Sequence, residues 1–273
     1  MNPRTRALSV LTGVVLIFAP AQSQAQVIFD PFTGPKIDPN TWHGFEDAGD
    51  TGTSNTETDR SIQNGQLQMS LTSYGTTASN SGQAGFASTR LRLNNPGGLS
   101  VLVVQATVTQ ATAQACAANT SPSEARIRLL GAFFNDGSST GPNDRKGDVL
   151  AEVQMILDSK AGPIFDLTAL RCADSQCAST NLIGSVQFVT TWVTGQKRMI
   201  VLAWDAPNNQ FLGFVDFQQP NQEMHVVPYG VLSDAKPPVF DLKGPAITTA
   251  MANCTAGRTT SQMTALFDNF YAQ

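Results

Sequence analysis

The feature that most constrains this chain is the alternation of apolar and polar residues with a period of two. In residues 66–71, for example, Leu67, Met69 and Leu71 fall on the same side. This period places alternate side chains on opposite faces of a β-strand. It recurs at 87–93, 101–112, 126–135, 148–157, 199–206, 210–217 and 263–272. The single helix-like stretch, 111–118, is rich in Ala but has no amphipathic repeat, so the sequence predicts an all-β sandwich or barrel.

Turn signals between these segments predict hairpins. Asn64-Gly65 precedes the strand at 66–71, and this dipeptide favours a two-residue turn whose central residues both have positive φ. Residues 126–135 and 148–157 form a second predicted hairpin, and Pro207-Asn208 marks the tip of a third. The polar, Gly-containing stretches 47–59 and 73–85 are predicted to be long loops.

Residues 1–25 have the pattern of a secretory signal peptide. Arg4 and Arg6 precede an apolar run at 7–19, and Ser23-Gln24-Ala25 is a small-x-small cleavage site. The run is shorter than the ~20 residues that a membrane-spanning helix needs. We therefore predict a secreted or periplasmic protein, with 26–273 as a single β-sandwich domain and no membrane span after signal removal.

Charge is sparse in this chain and limits its partners. Charged residues make up 14% of the sequence, and the net charge is −4. Binding to nucleic acid draws mainly on clustered Lys and Arg that neutralise phosphates. Without a basic stretch in the sequence, we expect no nucleic-acid partner.

The chain has four cysteines, Cys116, Cys172, Cys177 and Cys254. Four cysteines allow three disulfide connectivities, and an exported protein favours pairing. The short, turn-like spacer between Cys172 and Cys177 favours a local bridge, which leaves Cys116 for Cys254. A zinc site is the alternative, but zinc ligands usually come in two closely spaced pairs, whereas Cys116 and Cys254 each stand alone.

Several short segments, in this order along the chain, resemble the concanavalin A-like lectin/glucanase superfamily. The segments are Phe29-Asp30-Pro31-Phe32-Thr33-Gly34, Ile37-Asp38-Pro39-Asn40-Thr41-Trp42, Asn64-Gly65-Gln66-Leu67, Leu202-Ala203-Trp204-Asp205, Phe211-Leu212-Gly213-Phe214 and Ala265-Leu266-Phe267-Asp268-Asn269-Phe270-Tyr271. The resemblance implies an all-β, two-sheet antiparallel jelly-roll sandwich with one concave face and a glycan as partner. It also implies a closing strand beside 101–112, an arrangement that suits a Cys116–Cys254 bridge.

The hairpin 126–157 carries the candidate binding residues. One of its faces is almost wholly apolar and is expected to face the core, whereas the other is mixed. A loop centred near Gly141 sets Arg128 opposite Gln154, so that Arg128 and Glu152 are diagonal neighbours. On the mixed face, the candidate ligand-binding residues are Arg126, Arg128, Asp148, Glu152 and Gln154. The alternative is a solvated sheet face with an ordinary Arg–Glu pair.

Two further sets of residues are weaker candidates. Trp42 and Trp192 lie at the edges of predicted elements, where an aromatic ring can stack on a sugar, although burial in the core is the alternative for both. Members of the superfamily often hold a structural calcium ion where the first and last strands meet. The resemblance places Asp30 and Asp268 at the corresponding positions, and the alternative is that Asp268 has a local structural role.

The sequence identifies no catalytic residue. Glucanases of the superfamily place Glu, Asp and Glu at alternate positions on one strand, whereas this chain has Asp148, Leu150 and Glu152. Asp148 and Glu152 would be about 13 Å apart, beyond the separation that glycoside hydrolysis uses. The Arg-Glu-Arg and Gln-x-His signatures of lyases of this fold are also absent, since the nearest match is Arg90-Leu91-Arg92.

These observations favour a secreted, non-catalytic glycan-binding or envelope-associated protein. One alternative is a polysaccharide hydrolase or lyase with an unrecognised active site. The other is a structural or adhesive domain without a small ligand.

Overall fold

A computed structural model describes residues 26–48, 56–230 and 236–273. The predicted signal peptide, 1–25, lies outside the described residues. A 3-10 turn, Ala206–Asn208, joins two of the strands. The strands are β1 (Ile28–Asp30), β2 (Trp42–Ala48), β3 (Thr56–Gln63), β4 (Gln66–Tyr74), β5 (Gln83–Leu93), β6 (Val101–Ala113), β7 (Glu124–Asn135), β8 (Asp148–Asp158), β9 (Gly162–Cys172), β10 (Thr180–Gln187), β11 (Lys197–Asp205), β12 (Gln210–Val215), β13 (Glu223–Pro228), β14 (Lys243–Ala252) and β15 (Thr260–Ala272).

The strands form two antiparallel sheets. The first runs in the order β13-β12-β11-β6-β15-β4-β3, with β1 added beside β15, and the second runs β10-β9-β8-β7-β14-β5-β2. Every described strand pair within the sheets is antiparallel. The expected all-β, two-sheet antiparallel sandwich is therefore confirmed.

An apolar core lies between the two sheets. Leu67, Met69 and Leu71 of β4 contribute to it, as do Ile127 and Leu129 of β7. Burial follows the period of two along each strand, since the intervening residues of β4 are only partly buried. One face of each sheet is thus fixed against the other, and the opposite faces point away from this core.

The predicted strands correspond to β4, β5, β6, β7, β8, β11, β12 and β15. The Ala-rich stretch contributes the end of β6, up to Ala113, rather than a helix. Strands β2 and β3 extend into the predicted loop 47–59, whose residues 49–55 lie outside the described part of the chain. The loop 73–85 is shorter than predicted, because β4 continues to Tyr74 and β5 begins at Gln83.

Both predicted disulfides are present. Cys116 and Cys254 have Cα atoms 5.6 Å apart, and those of Cys172 and Cys177 are 4.7 Å apart. The first bridge follows from the pairing of β15 with β6, which brings the segments flanking these strands together. Within the described residues, no helix is long and apolar enough to span a membrane.

Gly244 in β14 is a point of close backbone approach. Its φ is +154°, and a Cβ atom added there would lie 2.2 Å from the carbonyl oxygen of Leu91. The added Cβ atom would also lie 3.3 Å from the ring of Trp42. A residue without a side chain is therefore needed for β14 to lie against β5.

We expect the two disulfides to contribute unequally to stability. The Cys116–Cys254 bridge spans 138 residues and the Cys172–Cys177 bridge spans 5. In the chain-entropy model, losing the long bridge costs about 5 kcal/mol and losing the short one about 2 kcal/mol. Denaturant unfolding measures the two losses in free energy of unfolding, using the double variants Cys116→Ser/Cys254→Ser and Cys172→Ser/Cys177→Ser. Equal losses, or a larger loss for the short bridge, would contradict this prediction.

Gly244→Ala is expected to destabilise the fold by about 3 kcal/mol, because the new methyl group collides with backbone that cannot move aside. The matched control is Gly141→Ala, since a Cβ atom at Gly141 meets nothing within 4 Å. That control should change the free energy of unfolding by no more than about 0.5 kcal/mol. Equal unfolding midpoints for the two variants would show that β14 and β5 are not packed as described.

Candidate functional site

The candidate site is the outer face of the seven-stranded sheet, which we call the polar face. Its members are Arg90, Arg92, Arg126, Arg128, Glu152, Gln154, Asp166 and Thr168. Strand register aligns them in rows across the sheet, because β7 pairs with β8 and β8 pairs with β9. Arg128 lies opposite Gln154, and Gln154 lies opposite Asp166. In the next row, Glu152 lies opposite Thr168.

Arg128 and Glu152 form an ion pair at the middle of the polar face. The register is the one predicted from the sequence, and the Nε of Arg128 donates to Oε2 of Glu152 at 2.5 Å. Only 15% of the Arg128 side chain and 7% of the Glu152 side chain are exposed. Each group is therefore held in a fixed orientation by the other.

Arg126 and Gln154 extend the same network. Arg126 donates to Oε1 of Gln154 at 3.2 Å and is also paired with the carboxylate of Glu124. Arg126, Arg128, Glu152 and Gln154 are thus brought together on one surface, as the sequence predicted. Glu124 was missed, although it lies two residues before Arg126 on the same face of β7.

Strand β9 contributes polar groups that the sequence analysis missed. Asp166 accepts hydrogen bonds from the hydroxyl of Thr168 and, at 2.7 Å, from that of Ser185 in β10. The signal in the sequence is the alternation of buried Phe165, Leu167 and Ala169 with these polar residues. Strands β9 and β10 therefore widen the polar face beyond the predicted hairpin.

Asp148 lies at the end of β8 and is separate from this network. It is fully buried, and its carboxylate accepts hydrogen bonds from the backbone N–H groups of Val239 and Phe240 at 2.8 and 3.0 Å. The side chain of Asn135 donates a third, at 2.8 Å. With these three donors, Asp148 fixes the segment before β14 against β7 and β8 and does not present a carboxylate to a ligand.

Three arginines, two from β5 and one from the segment between β7 and β8, gather beside the segment that Asp148 holds. The guanidinium carbons of Arg92 and Arg145 lie 4.9 and 4.5 Å from the centroid of the Phe240 ring. Arg90 lies on β5, two residues before Arg92. Burial, followed by repulsion from Arg128, Arg145 and Arg92, lowers the pKa of Arg90 to about 9. In the sequence, Arg90 and Arg92 stand out only as an incomplete lyase motif, and nothing in the pattern around Arg145 marks it.

Neither tryptophan can serve as a sugar platform. Trp42 and Trp192 are each only 3% exposed. Trp42 donates to Oδ2 of Asp30 at 2.6 Å, and its ring packs with Phe32 and Phe270. Trp192 donates to the backbone carbonyls of Ile156 and Ile164 at 3.2 and 3.1 Å. The assignment of both residues to a ligand-binding surface is corrected accordingly, because each ring is buried in the core.

The carboxylates of Asp30 and Asp268 each have partners within the protein. Asp30 accepts hydrogen bonds from the Trp42 indole and from the backbone N–H of Phe32. Asp268 instead interacts with Gln66 and Lys197, at 3.4 and 3.5 Å. Calcium takes six to eight oxygen ligands. In the part of the chain that the structure describes, no three His, Cys, Asp or Glu side chains gather as a metal site would require. The calcium site that the resemblance implies stays a prediction, and it would need oxygen ligands beyond these two carboxylates.

No protein-family model matches the chain, and no curated protein matches it. Among solved structures, it is similar to an endo-β-galactosidase from Clostridium perfringens, with 10% identity and a TM-score of 0.43, over 92% of this chain and 63% of that one. A lichenase from a mouse hindgut metagenome has 11% identity and a TM-score of 0.41, over 89% and 98%. Lectin II from Ulex europaeus has 13% identity and a TM-score of 0.33, over 84% and 97%. They are an endo-β-galactosidase, a glucanase and a lectin, and no activity of this chain follows from similarities so distant.

Proposed function

We propose that this protein binds glycans, without catalysis, through the polar face of the seven-stranded sheet. The observation that carries the proposal is the network of planar and hydroxyl groups across β7, β8 and β9. Guanidinium, carboxylate and amide groups lie side by side there and are held by one another. Such groups recognise sugar hydroxyls through paired hydrogen bonds, and fixing them in advance lowers the entropy lost on binding.

Apolar side chains complete this surface. Leu150 and Leu170 lie opposite each other on this face. Ile164 lies two residues before Asp166 on β9, so its side chain is on the same face. All three are partly exposed. Binding sites for small molecules combine apolar lining with a few oriented polar groups, and the C–H faces of a sugar ring suit the apolar part.

The carboxylates of the polar face support binding better than hydrolysis. Glu152 is paired with Arg128, and Asp166 is bound by two hydroxyls. A hydrolase needs one carboxyl group as acid and a second as nucleophile or base, on either side of the scissile bond. Glu152 and Asp166 are diagonal neighbours across β8 and β9, so these two would be the acid and base if glycan cleavage were observed.

The test is a binding screen of the full chain on a glycan array, followed by affinity measurements on any ligand found. Arg128→Gln/Glu152→Gln removes both charges together, which avoids leaving one buried charge unpaired. We expect this variant to bind at least about tenfold more weakly, because charged hydrogen bonds to the sugar are lost. The matched control is Lys197→Gln/Asp268→Asn, which removes an ion pair from the other sheet and should leave binding unchanged.

Three outcomes would contradict the proposal. No binding at millimolar glycan would favour a structural or adhesive role. Release of reducing ends, or of unsaturated products, from a polysaccharide panel would favour a hydrolase or lyase. Equal binding by the double variant and the control would remove the polar face as the site.

A further inference from the structure

Strand register gathers arginines on the polar face beside the Arg128–Glu152 pair. Arg90 on β5 and Arg128 on β7 both lie opposite Ala246 of β14, one on each side of it. Ala246 is fully buried and carries only a methyl group. The side chains of Arg90 and Arg128 therefore project from strands about 9–10 Å apart. The residue between them, Ala246, carries no bulky side chain.

Phe240 brings two further arginines to the same place. Its ring lies 4.9 Å from the guanidinium carbon of Arg92 and 4.5 Å from that of Arg145. Its backbone is fixed by the carboxylate of Asp148, at 3.0 Å. A cation over an aromatic face is stabilised without neutralisation of its charge. The ring therefore positions Arg92 and Arg145 while both keep their positive charge.

The carboxylates described nearby do not pair with all of these arginines. Glu152 pairs with Arg128, and Glu124 pairs with Arg126. Across the described residues, no carboxylate lies within salt-bridge distance of Arg92 or Arg145. The mutual repulsion also shows in the lowered pKa of Arg90, to which Arg128, Arg145 and Arg92 all contribute after burial. Asp148 and Asp174 attract Arg145 from a greater distance. Arg92 and Arg145 are therefore arginines of this region whose guanidinium groups touch no carboxylate among the described residues.

We infer that the glycan bound here is anionic and that its carboxylate or sulfate groups are held by Arg92 and Arg145, beside the Arg128–Glu152 pair. This inference rests on the proposed glycan-binding function and specifies the class of ligand. Guanidinium groups match carboxylate and sulfate oxygens with two parallel hydrogen bonds. The chain as a whole has a net charge of −4, so general attraction of polyanions does not account for such binding. Binding of an anionic glycan therefore has to come from direct contacts with the arginines at this place.

The experiment compares acidic polysaccharides with matched neutral forms, using the full chain. Polygalacturonate is paired with its carboxyl-reduced form, and dextran sulfate with its desulfated form, dextran. We expect at least tenfold tighter binding to an acidic member than to its neutral match. Loss of affinity on carboxyl reduction identifies carboxylate as the bound group, and loss on desulfation identifies sulfate.

Arg92→Gln and Arg145→Gln should each weaken binding of the acidic member by about tenfold and leave binding of the neutral form unchanged. The control, Lys197→Gln, removes the same charge from the other sheet and should have no effect. Thermal unfolding of each variant shows whether the fold is kept. If Arg145→Gln unfolds, Arg92→Gln carries the test, because Arg92 has no described hydrogen bond to lose.

The outcomes separate this inference from the proposed function. Equal affinity for acidic and neutral forms, with Arg92→Gln and Arg145→Gln unchanged, overturns the anionic ligand but leaves glycan binding in place. Binding to no polysaccharide overturns both. An acidic preference that Lys197→Gln reduces as much as Arg92→Gln also overturns the inference, since the charge would then act without a defined site.

Discussion

The packing of two apolar sheet faces against each other is the constraint on which the rest of this structure depends. Ile127 and Leu129 are fully buried in the core between the sheets. Because the side-chain period of a strand is two, this burial forces Arg126 and Arg128 onto the outer face. A shift of one residue in the pairing would exchange the two sets, placing guanidinium groups in the core. The polar face is therefore fixed by the same interaction that holds the sheets together.

The side chains of the polar face then restrain one another. Arg128 is held by Glu152, Arg126 by Glu124 and Gln154, and Asp166 by two hydroxyls. Asp148 performs a different task, because it fixes the segment that carries Phe240. The ring of Phe240 in turn positions Arg92 and Arg145. Binding groups held in this way lose little freedom when a ligand arrives.

Much of the fold was predictable from the sequence, because alternation is a local property. The register that pairs Arg128 with Gln154 followed from the hairpin, and the disulfides followed from cysteine spacing. The gathering of arginines was not predictable, since it depends on β14 lying between β5 and β7. Strand β14 is buried at all ten of its residues, so it has no apolar–polar alternation to reveal it.

Trp42 and Trp192 looked like edge residues in the sequence, but the indole N–H of each donates a hydrogen bond to a partner within the protein. The signal peptide and the single-domain boundary stay predictions.

The most direct test of the polar face as a binding site for anionic glycans is a nuclear magnetic resonance titration that observes the arginine Nε–H groups. A soluble oligogalacturonate is added to the labelled full chain, and assignments come from single Arg→Lys variants. The arrangement described above predicts that the signals of Arg92, Arg128 and Arg145 shift together and saturate, while that of Arg258, at the far end of the sandwich's other sheet beside Tyr74, stays in place. Saturating shifts confined to arginines other than these three, or no shift at all, would contradict it.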